Sequence, residues 1–168
     1  MESTISFNIN HEALISISVE EIRGAKTLAS IALELTEVVD FKSVSSIYRV
    51  PLSSNDGQFG YFVVVRMETP FDADTLLSAI YKVEQTFVEQ GAHIVLLAWE
   101  DLISMVPQLT LPHPTLVSNP LVLHTATEVW DQYFHPVLGK TLLEIAKAKV
   151  NTQGAEFFAQ GKQLMNLD

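Results

Sequence analysis

The chain predicts an α+β domain built on a four-stranded antiparallel sheet, and three observations carry that expectation. Four short segments are β-branched and apolar at strand length. Two longer segments carry apolar residues at helical spacing. The six follow one another as strand, helix, strand, strand, helix, strand. This is the split βαβ arrangement of ferredoxin-like folds, with both core helices on one face and the strands ordered two-three-one-four.

Residues 13–19 (ALISISV) alternate between apolar and polar and are bounded by charge, which reads as the first strand. In 24–39, Leu28, Ile31, Leu35 and Val38 repeat at helical spacing, and Asp40 breaks the pattern. Residues 41–50 (FKSVSSIYRV) form the second strand, ended by Pro51. The turn formers of 53–60 make a loop, and 61–68 (YFVVVRME) make the third strand. Thr69-Pro70 opens the second helix, capped by Asp72 or Asp74, lined by Leu76, Leu77, Ile80, Val83 and Phe87, and stopped by Gly91. Residues 92–99 (AHIVLLAW) are a nearly continuous apolar run, suited to a fourth strand partly covered on both sides. Residues 109–114 (LTLPHP) read as irregular. A helix is expected over 139–150, through Leu142, Leu143, Ile145 and Ala146, and another over 154–167. These would pack on the core or form an oligomer contact. One domain is expected over 1–168, with a core at 13–146 and a C-terminal helical tail at 147–168.

At 168 residues the chain can bury roughly 70% of its unfolded surface and needs no staples. An apolar fraction of 48% and a mean hydropathy of +0.22 exclude disorder as the main state. There is no cysteine, so disulfides, zinc–thiolate sites and thiol catalysis are excluded. The first ten residues carry Glu2 and neither Lys nor Arg, unlike a secretory signal. The longest apolar runs, 61–65 and 94–99, fall far short of the roughly 18–20 residues of a helical membrane span. A cytoplasmic protein with no membrane association is expected. Ten Lys and Arg against twenty Asp and Glu give a formal charge of −10, which argues against nucleic acid as a partner. Between Lys82 and Lys140 there is no Lys or Arg, so this long central stretch offers a phosphate no permanent cation.

Four local patterns stand in a telling order: Ser45-Ser46-Ile47-Tyr48 before Pro51-Leu52; 64–69 (VVRMET) before Leu76-Leu77 and Val83-Glu84; 94–98; and 109–114. In that order they resemble the hydroxymethyl-dihydropterin pyrophosphokinase family of folate biosynthesis. The last, which matches the family's L-T-x-P-H-x motif, is the most specific. Val122-Leu123, Glu128-Val129 and 138–145 (LGKTLLEI) continue the match, which spans about residues 13–146. The resemblance implies transfer of a pyrophosphoryl group from ATP to the hydroxymethyl group of a pterin. It also implies two magnesium ions on an aspartate-x-aspartate pair in the fourth strand, where they neutralise developing charge. The aligned positions here are His93 and Val95. Imidazole is a poor magnesium ligand and valine is none, so no catalytic residue is carried over and no metal site is expected.

The other departures point the same way. The family's glycine-serine-asparagine turn is replaced by Glu20-Glu21-Ile22-Arg23, and its arginine-bearing loop over the ATP phosphates by 85–92, which holds no cation. The asparagine that reads the pterin edge aligns with Phe62, the stacking aromatics with Gly60 and Leu121, and a later arginine with Asn119. Glu84, Pro51-Leu52 and His113 survive. The ligand-binding positions the resemblance carries over are therefore Pro51, Leu52, Phe62, Glu84, His113 and Leu121. Several of these and of their neighbours have a plain structural alternative. His113 also fits a loop residue kept for its turn, Tyr61 and Phe62 fit sheet packing, and Glu84 fits a solvated carboxylate. Glu100-Asp101 fits a capped turn. His93 with His113, His124 or His135 would suit a transition metal, but no close histidine pair supports that. Arg23, Arg49 and Arg66 are the cations that other strands could bring to the site.

Three readings of function remain. One is a paralogue that has lost the magnesium and ATP site and binds a pterin-like small molecule or a protein partner without catalysis. Another is a divergent but active pyrophosphokinase, the only reading that needs magnesium and ATP. The third is a structural or regulatory subunit whose pocket has filled with Phe62 and Leu121. The missing carboxylates and cations favour the first and third. The apolar composition and the amphipathic segment after Gly139 further suggest a homodimer.

Overall fold

The computed structural model describes residues 10–20, 24–52, 58–149 and 155–162. Its elements run β1 (His11–Val19), α1 (Gly24–Thr36), β2 (Asp40–Val44), β3 (Ile47–Pro51), β4 (Phe59–Thr69), α2 (Ala73–Thr86), β5 (His93–Trp99), β6 (Ser104–Val106), β7 (Leu109–Leu111), α3 (Thr115–Ser118), α4 (Pro120–Trp130), β8 (Phe134–His135), β9 (Lys140–Thr141), α5 (Leu142–Ala148) and β10 (Glu156–Ala159). The main sheet is ordered β10-β3-β4-β1-β5, with β2 also on β4, and every pairing is antiparallel. Taking β2 and β3 as the expected second strand, the two-three-one-four order is present.

The first core lies between the sheet and α1 with α2. Ile15 and Ile17 of β1, Val65 and Met67 of β4, and Leu96 of β5 meet Leu28, Ile31 and Leu35 of α1 and Leu76 and Ile80 of α2. Asp72 is the N-cap of α2, and its Oδ1 accepts from Thr75 N at 2.8 Å. Gly91, at φ 67°, turns the chain from that helix toward β5. A Cβ on Gly24 would sit 2.3 Å from the Tyr61 ring, so the start of α1 can lie against β4 only as glycine.

The opposite face is also covered. Leu14, Val64 and Leu97 pack against Leu116, Leu123, Ala126 and Leu142 from α3, α4 and α5. The sequence reading did not foresee α4. Asn119 caps it by accepting from Leu121 N at 3.0 Å and Val122 N at 3.3 Å, and Pro120 follows at the first helical position.

Other elements differ from expectation. The second strand breaks at Ser45-Ser46. LTLPHP is not wholly irregular, because its first three residues form β7 and pair with β6. The helix expected over 139–150 occupies Leu142–Ala148. Within the helix expected over 154–167, the main part of the 147–168 tail, Glu156–Ala159 instead form the strand β10, which pairs with β3 at the sheet edge. Glu156, Phe157 and Phe158 are all exposed on this edge strand, where Phe157 and Phe158 suit a strand and Arg49 Nη2 holds Glu156 Oε2 at 2.6 Å. The expected 53–60 loop shares Phe59 and Gly60 with β4, and its residues 53–57 lie outside the described residues, as do 21–23, 150–154 and 163–168. Among the described residues, no helix is long and apolar enough to cross a membrane.

The break between β2 and β3 is closed by a side chain. Ser45 N donates to Val64 O at 2.9 Å, and Ser45 Oγ accepts from Val64 N at 2.9 Å. The hydroxyl thus stands in for the missing ladder carbonyl and is 2% exposed with its residue. Ser45→Ala would bury Val64 N–H without an acceptor. A loss of about 1–3 kcal/mol is expected from urea unfolding with an unchanged m-value, and a loss under a few tenths would show that the hydroxyl is dispensable.

Candidate functional site

The two positions aligned with the aspartate pair lie on β5, two residues apart, and so on one face of the sheet. That face is the one covered by α3–α5. Cross-strand pairing builds a row across it. Tyr48 pairs with Phe62, Phe62 with Ser18, and Ser18 with His93. The next row brings Val64, Ser16 and Val95 together. His93 is exposed, Val95 is half-buried, and Phe62 and Val95 pack against the second core. Neither row holds a carboxylate. Tyr61 faces the other way, over Gly24 and edge-on to Phe158 at 4.8 Å.

The serine-serine-x-tyrosine stretch does structural work beside this row. Ser46 Oγ donates to Glu128 Oε1 at 2.7 Å, and Tyr48 OH donates to Glu128 Oε2 at 3.2 Å. His124, one turn earlier on α4, brings Nε2 to 3.2 Å from the same hydroxyl. Burial first, and then the Glu128 charge, push the Tyr48 phenol up to about 12. Tyr48 therefore keeps its proton and tethers α4 to β3. Tyr48 and Glu128 lie 80 residues apart, so their contact has no local signal in the sequence.

The outer edge of β5 carries the two polar survivors. Glu84 is not a free surface carboxylate, because its Oε2 accepts from Ile94 N at 2.8 Å and ties α2 to the edge strand. The register with β1 shifts between Leu14 and Ile15, leaving Leu97 as an extra residue, and its carbonyl accepts from His113 N at 2.7 Å. His113 Nδ1 accepts from Thr115 N at 3.2 Å and lies 2.8 Å from Thr115 Oγ1. An acceptor at Nδ1 puts the neutral ring's proton on Nε2. Desolvation lowers the His113 pKa and favours this neutral form. The ring lines a niche of about 200 Å³ with Leu77, Ile94, Val95, Leu96 and Thr110.

The remaining expected site residues are spread around this region. Pro51 ends β3 opposite Phe59, and Leu52 N donates to Gln58 O at 3.0 Å, which closes the hairpin loop. Leu121 is half-buried in the first turn of α4, and Asn119 is committed as that helix's cap. Gly60 leaves no room for a ring without a shift, since a Cβ would stand 3.0 Å from Val19 O and 3.2 Å from Leu52.

The cations are engaged elsewhere. Arg66 holds Glu12 at 2.7 Å and stacks 4.3 Å from the Trp130 ring, and Arg49 lies between Glu156 and the Phe59 ring at 4.4 Å. Arg23 is outside the described residues. Buried His135 turns Nδ1 to Leu138 N at 3.1 Å and Val137 N at 3.3 Å, and His11 holds Glu100 at 2.7 Å. Among the described residues, no three His, Asp or Glu are grouped to hold a metal ion.

The His113 geometry sets a pH dependence. The unfolded ring titrates near 6.5 and the folded ring below that, so the unfolded chain takes up the proton first as pH falls. The His113 contribution to stability is complete above about pH 6.5 and is lost as pH falls through the folded value; His135 adds in the same direction. Histidine proton NMR should place the His113 midpoint below 6.5, and a midpoint at or above it would contradict the Nδ1-acceptor assignment.

No protein-family model matches the sequence, and no functionally curated protein does. Solved structures do. A variant of Plasmodium falciparum HPPK-DHPS with SDX-DHP superposes at a TM-score of 0.74 and 12% identity, over 91% of this chain and 50% of that one. The wild-type protein gives 0.71 and 12%, over 89% and 48%, and its complex with pterin and p-hydroxybenzoate gives 0.71 and 12%, over 90% and 47%. The chain thus spans about half the length of the structures it matches. At this identity the likeness establishes architecture: the chain has the ferredoxin-like α+β fold of the HPPK domain of HPPK-DHPS.

Proposed function

We propose that this chain is a non-catalytic relative of the hydroxymethyl-dihydropterin pyrophosphokinases that binds a small planar, pterin-like ligand and does not transfer pyrophosphate. One observation carries the reading. The β5 positions that align with the family's metal-binding aspartates present an imidazole and an isopropyl group, in rows with Tyr48, Phe62, Ser18, Ser16 and Val64. Magnesium needs oxygen ligands near octahedral geometry, and these side chains supply at most hydroxyls. Arg49 and Arg66, the described cations that could have compensated, are held in ion pairs. Ligand capacity is supported separately by the His113 niche. Its lining is mixed, with Leu77, Ile94 and Val95 beside Gln108 and Thr110, which suits a flat ring with polar edges, and the Nε2 proton of His113 has no protein acceptor among the described residues. Under this reading no metal or nucleotide cofactor is needed. Exposed Ile103, Met105 and Val106 on the β6–β7 hairpin, at 50%, 86% and 52%, would serve the expected homodimer or protein partner.

The test is AMP release from magnesium–ATP with and without hydroxymethyl-dihydropterin. Charge stabilisation by metals and fixed donors commonly supplies several kcal/mol of a barrier, and about 1.4 kcal/mol is tenfold in rate. Pterin-dependent turnover should therefore fall orders of magnitude below an ordinary enzyme's roughly 1 per second. The double variant His93→Asp, Val95→Asp should stay inactive, because 83–139 still contain no Lys or Arg. Turnover on the order of one per second in the unmodified chain would establish the divergent-enzyme reading instead.

A further inference from the structure

The edges of the main sheet are closed or charged. β5 is closed on its outer side by Glu84 Oε2 on Ile94 N and by His113 N on Leu97 O. β2 carries Asp40 and Lys42, and β10 carries Glu156, charges of the kind that keep one sheet edge from adding to another. β6 is different. It pairs with β7 on one side, and among the described residues no other strand pairs with it. Its residues Ser104, Met105 and Val106 include neither a charge nor a proline, and the Ser104 hydroxyl is spent inward on Leu109 O.

This free edge is also apolar and open. Met105 is 86% exposed, Val106 52%, Ile103 50% and Leu102 36%. The hairpin that presents them is anchored, because Leu109 and Leu111 of β7 are buried in the first core. Residues 102–127 contain no Asp, Glu, Lys or Arg, and no other such run in the chain exceeds ten residues. A second copy approaching a chain of net charge −10 therefore meets least repulsion over this hairpin. Depletion of charge at the centre is also the compositional mark of a protein interface.

We propose that β6 is the contact of a homodimer, in which the same strand of a second copy adds to it antiparallel. Two-fold symmetry makes such a contact self-complementary. Centred on Met105, it keeps all three residues paired: Met105 faces the partner's Met105, and Ser104 faces the partner's Val106. The antiparallel direction sets the two copies' Asp101 carboxylates at opposite ends, so acid does not oppose acid. A contact this short belongs to the weak, concentration-dependent class. Salt screens the remaining self-repulsion and strengthens it. The pairing gives the homodimer named under the proposed function a defined contact. It uses none of His93, Val95 or His113, so the AMP assay does not decide it.

Sedimentation equilibrium across a wide range of protein concentration is expected to show a monomer–dimer equilibrium that tightens with added salt. Met105→Lys sets two ammonium groups opposite each other and should weaken the dimer by about tenfold or more, while Met105→Leu stays within about twofold. At 86% exposure, Met105→Lys should unfold in urea at the midpoint of the unmodified chain, which separates a lost contact from a lost fold. The chain has no Cys, so Met105→Cys measures distance. Facing residues of an antiparallel pair lie about 4.5–5.5 Å apart at Cα, inside the roughly 4.4–6.8 Å span of a disulfide. Mild oxidation should cross-link Met105→Cys far faster than Leu33→Cys, a control on α1 that is 55% exposed. A monomer at every concentration, a dimer that loosens with salt or ignores Met105→Lys, or equal cross-linking at the two positions would overturn the proposal.

Discussion

β1 has to satisfy two cores at once. Ala13, Ile15, Ile17 and Val19 enter the layer shared with α1 and α2, while Leu14 enters the layer shared with α4 and α5. β4 divides in the same way, with Val63, Val65 and Met67 on one side and Val64 on the other. A strand covered on both faces cannot show water a polar side, so alternation gives way to runs such as 61–65 and 94–98. Burying each large aliphatic side chain contributes about 1.5–3 kcal/mol, so both helical layers are needed to collect it. The small polar residues of β1 mark which face is which. Ser16 and Ser18 both lie on the second face, and a one-residue slip would drive them into the first core.

This constraint explains what was readable in the sequence. Periodicity found β1, β4, β5, α1 and α2 because each presents a continuous apolar surface to the first core. The same runs held the sign of a second layer, since 92–99 read as a strand covered on both sides. The element supplying that cover was harder to see. PLVLHTATEVW is rich in β-branched residues, which dilute the helical signal, and Thr125 and Thr127 return their hydroxyls to the carbonyls of Leu121 and Leu123. Its one clear marker was the Asn119-Pro120 start. β10 was missed for the opposite reason: two strand formers, Phe157 and Phe158, sit in a four-residue segment too short to show a period, and their partner β3 lies more than a hundred residues away.

The candidate site divides along the same line between local and distant information. Placing His93 and Val95 on one face needed only the two-residue repeat of a strand. What surrounds them depended on pairing across four strands, and so did the use made of the Ser45–Tyr48 stretch. Read locally, its two serines and tyrosine are a family-like pattern with no assigned role. In the fold, Ser45 completes a backbone ladder, and Ser46 and Tyr48 hold Glu128. Likewise Glu84, which reads as a solvated carboxylate, carries the hydrogen bond that secures the edge of β5. Residues that match a catalytic family can persist because they hold the scaffold.

Shape and charge are therefore separable here. The niche beside His113 is made by the bulge at Leu97, the turn into α3 and the β6–β7 hairpin, all held by backbone hydrogen bonds that tolerate changes of side chain. Phosphoryl transfer asks for something the backbone cannot supply, namely carboxylate oxygens for a metal and cations for the leaving phosphates. Changing a few side chains removes those without disturbing the fold, and a chain of charge −10 then repels a polyphosphate over distances comparable to the Debye length of about 8–10 Å. A neutral or singly charged ligand pays little of that repulsion. The cavity beside His113 is thus set by backbone hydrogen bonds, and the acidity of the chain by its side chains, so either can change without the other.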